Sequence, residues 1–284
     1  MTHARTRTPE VTAATVPVEA GELFCESAGE GPAVVLLHGG MLDLHMWDEQ
    51  FLRLARLGRR VIRYDARGHG SSSTVAGDHA HHDDLRALLT RLDVPRATLV
   101  GLSPGARTAV DTALAHPDSV SALVLASPGV SGRPFTDPYV AHHTAQQMAA
   151  VGDPDGGAQR FVEHFLRMWV DGPRREASQV DPRLRERMRA SASANVLRHA
   201  RGLGAGMPRE VGAADRLATI GVPTLVLDGD LDSGDISSNA RAIVRAVPGA
   251  RRQRFASAAH MVNLESTALF NRAVVSFLAS TARH

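Results

Sequence analysis

A serine at the centre of a glycine-flanked motif is the clearest sign of chemistry in this sequence. Residues 101–105 read Gly-Leu-Ser-Pro-Gly, with an apolar run before them and a stretch of helical character after them. A serine on such a strand-to-helix turn points its hydroxyl out of the sheet edge, and the glycine two positions away on each side avoids collision with neighbouring backbone. Ser103 is therefore the candidate nucleophile.

A serine nucleophile needs a base that takes its proton, and a histidine base needs a carboxylate that holds its tautomer. His260 follows the last predicted strand, and three aspartates, Asp230, Asp232 and Asp235, follow the strand before it. The chain order of serine, then acid, then histidine is the order that this strand–turn–helix arrangement requires. The sequence pattern alone does not decide which of the three aspartates is the acid that orients His260.

Apolar runs that alternate with helix-like stretches must position these side chains. Runs such as 33–37 are typical of strands buried on both faces, and the first two strands predict an antiparallel hairpin. The alternation predicts an α/β protein with a mostly parallel sheet of roughly eight strands and helices on both faces. The predicted strands are residues 15–19, 22–26, 33–37, 60–64, 97–100, 122–126, 224–227 and 252–255. The predicted core helices are residues 44–57, 83–92, 104–115, 236–247 and 264–278.

The alternation breaks between residues 131 and 217. Few β-branched runs occur there, and apolar residues such as Phe161 and Trp169 recur at helical spacing. We expect two to four helices inserted into an otherwise regular fold. The predicted organisation is a core formed by residues 1–130 and 218–284, with a helical cap, or lid, formed by residues 131–217.

The composition excludes several other classes of protein. Hydrophobic residues make up 43% of the 284 residues, which suffices for a core and excludes disorder as the main state. All 32 basic residues are arginine and 30 acidic residues nearly balance them, so nucleic acid is not an expected partner. Cys25 alone excludes a disulfide framework and a four-cysteine zinc site. The polar first fifteen residues and the short apolar runs predict a cytoplasmic protein without a secretory signal or membrane span.

Five segments of the sequence resemble the α/β-hydrolase-fold superfamily. They are His-Gly-Gly at 38–40, Tyr-Asp-Ala-Arg-Gly-His-Gly-Ser-Ser at 64–72, the serine motif at 101–105, the stretch 222–232 and Ala-His-Met-Val-Asn-Leu-Glu at 259–265. The resemblance covers essentially the whole chain and is greatest to small-ester and enol-lactone hydrolases with a helical cap.

The resemblance implies a role for several residues. Ser103 corresponds to the nucleophile, Asp232 to the orienting acid and His260 to the base. In such families, the backbone N–H at the Gly40 position and the N–H of the residue after the nucleophile stabilise the oxyanion.

Pro104, directly after the candidate nucleophile, departs from this pattern. Proline has no N–H, although the first position of a helix accepts it readily. One of the two oxyanion donors is therefore missing, and losing one such donor typically costs about 10²–10³ in kcat. The Met41 N–H, a side chain or water could substitute for it.

Three functions are compatible with these residues. The first is hydrolysis of a small-molecule ester, lactone or thioester without metal or organic cofactor. The second is a lyase or cyclase reaction (elimination, C–C cleavage, decarboxylation or ring closure) with the same base, which the proline favours. The third is ligand binding without turnover.

The expected partner is a small-molecule substrate with an apolar portion. Trp47 and Trp169 are candidates for the apolar wall of its site, although both also fit a hydrophobic core. The oligomeric state is left open by the sequence, with a homodimer as one option.

Overall fold

The computed structural model describes residues 9–281, and eight strands in this range form one sheet. Residues 1–8 of the polar N-terminal stretch lie outside the described range. The strands are β1 (Val11–Val18), β2 (Gly21–Ala28), β3 (Ala33–Leu37), β4 (Arg60–Tyr64), β5 (Ala97–Leu102), β6 (Val120–Ala126), β7 (Thr224–Gly229) and β8 (Arg251–Phe255). The order in the sheet is β1-β2-β4-β3-β5-β6-β7-β8.

The sheet is mostly parallel, as predicted. β1 and β2 form an antiparallel hairpin, and β2 is also antiparallel to β4. All neighbouring strands from β4 to β8 run parallel. The carboxyl ends of β5, β7 and β8 therefore meet at one edge of the sheet, and the candidate serine, acid and histidine follow these three ends.

Helices cover both faces of the sheet. They are α1 (Asp48–Arg56), α2 (His81–Arg91), α3 (Pro104–Ala115), α4 (Pro138–Ala150), α5 (Gly157–Leu166), α6 (Pro182–His199), α7 (Gly234–Ala246), α8 (Val262–Glu265) and α9 (Thr267–Thr281). Among the residues described, none of these helices has the length and apolar character needed to cross a membrane.

The central strands are buried on both faces because their side chains alternate between two hydrophobic layers. Val34 and Leu36 of β3 belong to the layer that contains apolar residues of α1 and α9. Val35 and Leu37 point to the other layer, with residues of α2, α3 and α7. A strand covered on both sides reads as a continuous apolar run, which is why residues 33–37 could be predicted as a strand.

The ends of several elements differ from the predictions. The entry hairpin is longer at both strands, spanning β1 and β2 as given above. The helix predicted from residue 44 begins as a 3-10 turn, Leu44–Trp47, before α1. The helix predicted for 264–278 is divided at Ser266 into α8 and α9. Such local breaks depend on backbone angles that hydrophobic spacing does not specify.

The segment between β6 and β7, residues 131–217 and hereafter the inserted segment, contains α4, α5 and α6. Asp171 is fully buried in it. Its carboxylate accepts hydrogen bonds from Arg185 Nε at 2.9 Å and from Arg167 Nη1 at 3.1 Å. Arg185 also pairs with Glu163 of α5, so ion pairs join the helices of this segment.

Gly101 gives a test of the packing at the turn after β5. A Cβ at Gly101 would lie 2.3 Å from the carbonyl oxygen of Gly105, which is far inside contact distance. We expect Gly101→Ala to lower the free energy of unfolding by about 3 kcal/mol, the upper range for overpacking. Urea denaturation followed by circular dichroism measures it. Gly77→Ala is the matched control, because a Cβ there meets nothing within 4 Å; equal stability of the two variants would contradict the close approach.

Candidate active site

Ser103 occupies the turn between β5 and α3 with an unusual backbone conformation. Its φ of 58° and ψ of −114° lie where few residues other than glycine are found. The Ser103 N–H donates to Ala126 O at 2.9 Å, and its carbonyl accepts hydrogen bonds from the N–H groups of Arg107 at 3.0 Å and Gly129 at 3.2 Å. These three bonds hold the strained residue in place, as is common at functional sites.

Two glycines allow the backbone to pass closely at this turn. A Cβ at Gly105 would lie 2.3 Å from Leu37 O and 2.6 Å from His38 O, so α3 begins in contact with the end of β3. A Cβ at Gly101 would collide with the Gly105 carbonyl, as described above. The two glycines of the motif are therefore explained by backbone contacts, the physical reason that the sequence suggested.

His260 and Asp232 form a buried pair beside this turn. His260 Nδ1 lies 2.8 Å from Asp232 Oδ2, and both side chains are almost completely buried. The other carboxylate oxygen, Oδ1, accepts the Ser233 N–H at 2.7 Å. A proton on Nδ1 that is donated to the carboxylate leaves Nε2 free to accept one, which is the tautomer that a base requires.

The other two candidate acids have different partners. Asp230 Oδ1 accepts the N–H of Ser257 at 2.8 Å. Asp235 accepts hydrogen bonds from the backbone and hydroxyl of Thr136 and from the N–H of Asp137. Of the three aspartates, the structure brings Asp232 to His260.

Ser103 and His260 line the same cavity, which has a volume of about 220 Å³. Within residues 9–281, Oγ of Ser103 and Nε2 of His260 are not within hydrogen-bond distance of each other. Such bonds are often absent or long in enzymes without substrate and tighten when it binds. The apolar wall consists of Met41, Leu102, Phe135, Phe161, Phe165, Trp169 and Met261.

Trp169 lies in this wall, and its ring contacts the ring of His260 directly. The centroids of the Trp169 and His260 rings are 4.5 Å apart, with 43° between their planes. On its other side, Trp169 contacts Phe135 at 5.5 Å. The indole thus occupies the space beside the imidazole.

Trp47, in contrast, does not line the cavity, so its expected place in the substrate wall is corrected. It is completely buried in the hydrophobic layer and packs against Phe270 of α9 with ring centroids 6.0 Å apart. The 3-10 turn directs its side chain into the layer between α1 and α9, away from the edge of the sheet where Ser103 lies.

The candidate oxyanion donors lie at the opening of the cavity. Gly40 faces Pro104, since a Cβ on Gly40 would be 3.4 Å from Pro104 Cγ. Among the described residues the Gly40 N–H has no acceptor, so it is free to bind an oxyanion. Pro104 is the first residue of α3 and contributes no N–H.

The Met41 N–H, considered from the sequence as a substitute donor, already has an acceptor. It donates to His69 Nε2 at 3.3 Å, and burial lowers the pKa of His69 well below its usual range, so this imidazole stays neutral. The Met41 carbonyl accepts a hydrogen bond from Asn195 Nδ2 of α6 at 3.0 Å. Met41, with a φ of 60°, is therefore fixed from both sides.

Several cavity residues were not found by sequence reasoning. They are Arg107, Phe135, Gln147 and Met261. Arg107 had a usable signal, because it stands four residues after Ser103 and thus one helical turn into α3. The others depend on the folding of the inserted segment and of the loop after β8.

A buried ion pair supports the loop that carries His260. Glu265 Oε1 accepts the Ala259 N–H at 3.0 Å, and its other oxygen pairs with Arg175 Nη1 at 2.7 Å. Arg175 also donates to the carbonyls of Asp171 and Val170 in the inserted segment. Burial raises the pKa of Glu265, and the Arg175 guanidinium opposes this rise.

These features define a class of protein: an α/β sheet with a serine on a strand-to-helix turn beside a buried histidine–carboxylate pair. Residues 32–267 match the family model of the alpha/beta hydrolase fold, and the chain belongs to this family.

Individual relatives agree with this assignment. A solved hydrolase from Pseudomonas aeruginosa PA01 is 31% identical, with a TM-score of 0.78 over 94% of this chain and 98% of that one. The enol-lactonase from Burkholderia xenovorans LB400 is 25% identical, with a TM-score of 0.79 over 94% and 100%. A 2-hydroxy-6-oxononadienedioate/2-hydroxy-6-oxononatrienedioate hydrolase of Cupriavidus pinatubonensis is 27% identical over 266 residues, 90% of each protein. Two other curated relatives are matched over only 32% and 36% of their own length.

The Arg175–Glu265 pair predicts a pH-dependent loss of stability. Arg175→Met leaves a buried carboxylate without its counter-ion, and we expect the free energy of unfolding at pH 8 to fall by about 3 kcal/mol. The folded-state pKa of Glu265 then lies above its unfolded value, so the folded state holds the proton more tightly. The loss is therefore smaller at pH 5 and grows as the pH rises through the folded-state pKa.

Urea denaturation at both pH values measures this effect. Arg174→Met is the control, because Arg174 is exposed and, within residues 9–281, donates a hydrogen bond to the Asp230 carbonyl but forms no ion pair. A loss for Arg175→Met that is the same at pH 5 and pH 8 would contradict the role of the Glu265 charge.

Proposed function

We propose that this protein is a small-molecule hydrolase that cleaves an ester, lactone or thioester through Ser103, His260 and Asp232. The observation that carries the proposal is the 2.8 Å contact between His260 Nδ1 and Asp232 Oδ2, in a pair that borders the cavity containing Ser103. The similarity to a solved enol-lactonase and to other proteins named as hydrolases supports hydrolysis as the reaction class.

The first half of the reaction forms an acyl-enzyme. His260 Nε2 takes the proton of Ser103 Oγ as the oxygen attacks the substrate carbonyl carbon. The Asp232 carboxylate stabilises the imidazolium that results. The negative charge on the carbonyl oxygen is bound by the Gly40 N–H, and the positive end of the α3 dipole lies close to it. Collapse of the tetrahedral intermediate breaks the ester bond, and His260 returns the proton to the departing oxygen or sulfur.

The second half releases the acid. Water replaces the leaving group, His260 accepts one of its protons, and the hydroxide attacks the acyl carbon. Ser103 leaves with the proton from His260, so that the free enzyme is regenerated. Water is the second reactant, and the proton transfers in both halves pass through His260.

We also propose that the inserted segment is the lid of this site. Its helices α4 and α5 contribute Gln147, Phe161 and Phe165 to the cavity wall, so the segment determines the shape of the substrate pocket. The apolar rings suit the hydrocarbon portion of a substrate.

The oxyanion site favours a second candidate function. Pro104 supplies no N–H and the Met41 N–H is bound to His69, which leaves Gly40 as the free backbone donor among those considered. A lyase or cyclase that uses Ser103, His260 and Asp232 for proton transfer depends less on a strong oxyanion hole. The two functions predict different effects of replacing Pro104 on esterase activity.

Hydrolysis of p-nitrophenyl butyrate by three proteins separates the candidates. For a hydrolase, we expect the wild type to turn over the ester and Ser103→Ala to reduce kcat at least 10³-fold, since the nucleophile is lost. Pro104→Leu restores the missing N–H, and we expect it to raise kcat by no more than about 10²–10³-fold, the value of one oxyanion donor. Release of p-nitrophenol measures all three.

Pro138→Leu is the control for the proline substitution, because Pro138 is the first residue of α4 and does not line the cavity. Wild-type hydrolysis that persists in Ser103→Ala would refute the hydrolase mechanism. A wild type without activity that becomes an esterase only in Pro104→Leu would favour the second candidate.

A further inference from the structure

Arg107 is a charged residue that lines the cavity. It lies one helical turn after Ser103, and its backbone N–H donates to the Ser103 carbonyl at 3.0 Å. Its side chain belongs to the cavity wall together with Ser103, Gly129 and His260. Among the lining residues, it is the one with a permanent charge.

The two edges of the Arg107 guanidinium have different surroundings. Nη1 pairs with Glu210 Oε1 at 2.6 Å. Within residues 9–281, neither Nε nor Nη2 has an acceptor, and Nε is buried. A Cβ at Gly129 would lie 3.3 Å from Nε and 3.5 Å from Nη2, so this free edge faces the glycine that borders the cavity.

The free edge has the geometry of a carboxylate receptor. The Nε–H and one Nη2–H are parallel and match the two oxygens of a carboxylate in a bidentate pair. A buried N–H without an acceptor is unfavourable, and an anionic group of a substrate would satisfy it. The surrounding wall of Phe135, Phe161 and Trp169 lowers the local dielectric constant and strengthens such a pair.

We propose that Arg107 binds a carboxylate of the substrate, which makes the preferred substrates acidic esters or lactones. This inference rests on the proposed function, because it places the carboxylate relative to the carbonyl that Ser103 attacks. Four residues along a helix span about 6 Å. Because Arg107 and Ser103 line one cavity of about 220 Å³, we expect the carboxylate and the reacting carbonyl to belong to one compact molecule, such as a half-ester of a short dicarboxylic acid.

A purely structural role for Arg107 makes a different prediction. Its pair with Glu210 connects α3 to the end of the inserted segment, and both side chains are about one-third exposed. If this connection were its whole role, removing either partner would have the same effect. Glu210→Gln removes the ion pair but keeps the guanidinium, so it is the matched control for Arg107→Met.

The kinetic test compares the mono-p-nitrophenyl esters of succinate and glutarate with p-nitrophenyl butyrate. The measured quantity is the ratio of kcat/KM for the acidic ester to kcat/KM for the neutral ester. We expect Arg107→Met to lower this ratio at least 30-fold and Glu210→Gln to keep or raise it. An unchanged ratio in Arg107→Met, or equal losses in both variants, would overturn the proposal. Urea denaturation verifies that each variant is folded.

A binding test separates this inference from the proposed function. Calorimetry with Ser103→Ala measures the affinity for monomethyl glutarate and for dimethyl glutarate. Neither measurement requires turnover. We expect the acid to bind at least 10-fold more tightly, and the preference to disappear in Ser103→Ala/Arg107→Met.

The possible failures are thus distinguishable. A preference for the acid in a protein that hydrolyses no ester would retain the carboxylate site and refute the hydrolase function. Hydrolysis of esters without any preference for acids would retain the hydrolase function and refute the carboxylate site.

Discussion

The contact between the start of α3 and the end of β3 is the constraint on which the site depends. Gly105 lies against the carbonyls of Leu37 and His38, at a distance that excludes any side chain. This contact brings the first turn of α3 against β3, and Ser103, between strand and helix, has a positive φ of 58°. The same approach brings Gly40, at the end of β3, opposite Pro104. Ser103 and the Gly40 N–H, the proposed nucleophile and oxyanion donor, consequently lie on either side of one close backbone contact.

Two pairs of polar side chains, Asp232–His260 and Glu265–Arg175, complete the site. The buried Asp232 fixes the tautomer of His260, and the Glu265–Arg175 pair supports the loop that carries this histidine. Arg175 also binds carbonyls of the inserted segment, so one guanidinium contacts both the loop that carries His260 and the proposed lid. Breaking a buried ion pair is unfavourable because the remaining charge is left unpaired, and this pair joins the loop of His260 to the inserted segment.

Local patterns in the sequence predicted the sheet and the positions of the candidate serine and histidine, whereas the choice among the three aspartates needed the contact between Asp232 and His260. Strands buried on both faces have continuous apolar runs, and the nucleophile turn needs glycines at fixed positions. The surroundings of the site depend instead on contacts between distant residues. The sequence could not indicate that Trp47 packs against Phe270 or that Asp230 binds Ser257. Likewise, the unpaired edge of Arg107 appears only once Glu210 and Gly129 have been brought beside it.

Met41 is held by His69 on its N–H and by Asn195 of α6 on its carbonyl. It follows Gly40 directly in the chain, and its N–H belongs to the peptide group that joins the two residues, so the bond to His69 restricts rotation of that group. Asn195 Oδ1 also accepts the Gly70 N–H at 2.6 Å, which joins α6 to the loop that carries His69. A displacement of α6 would thus act on Met41, the residue next to the candidate oxyanion donor Gly40, and on the loop of His69. If the inserted segment opens as the proposed lid, substrate entry and the geometry around Gly40 are therefore coupled through Asn195.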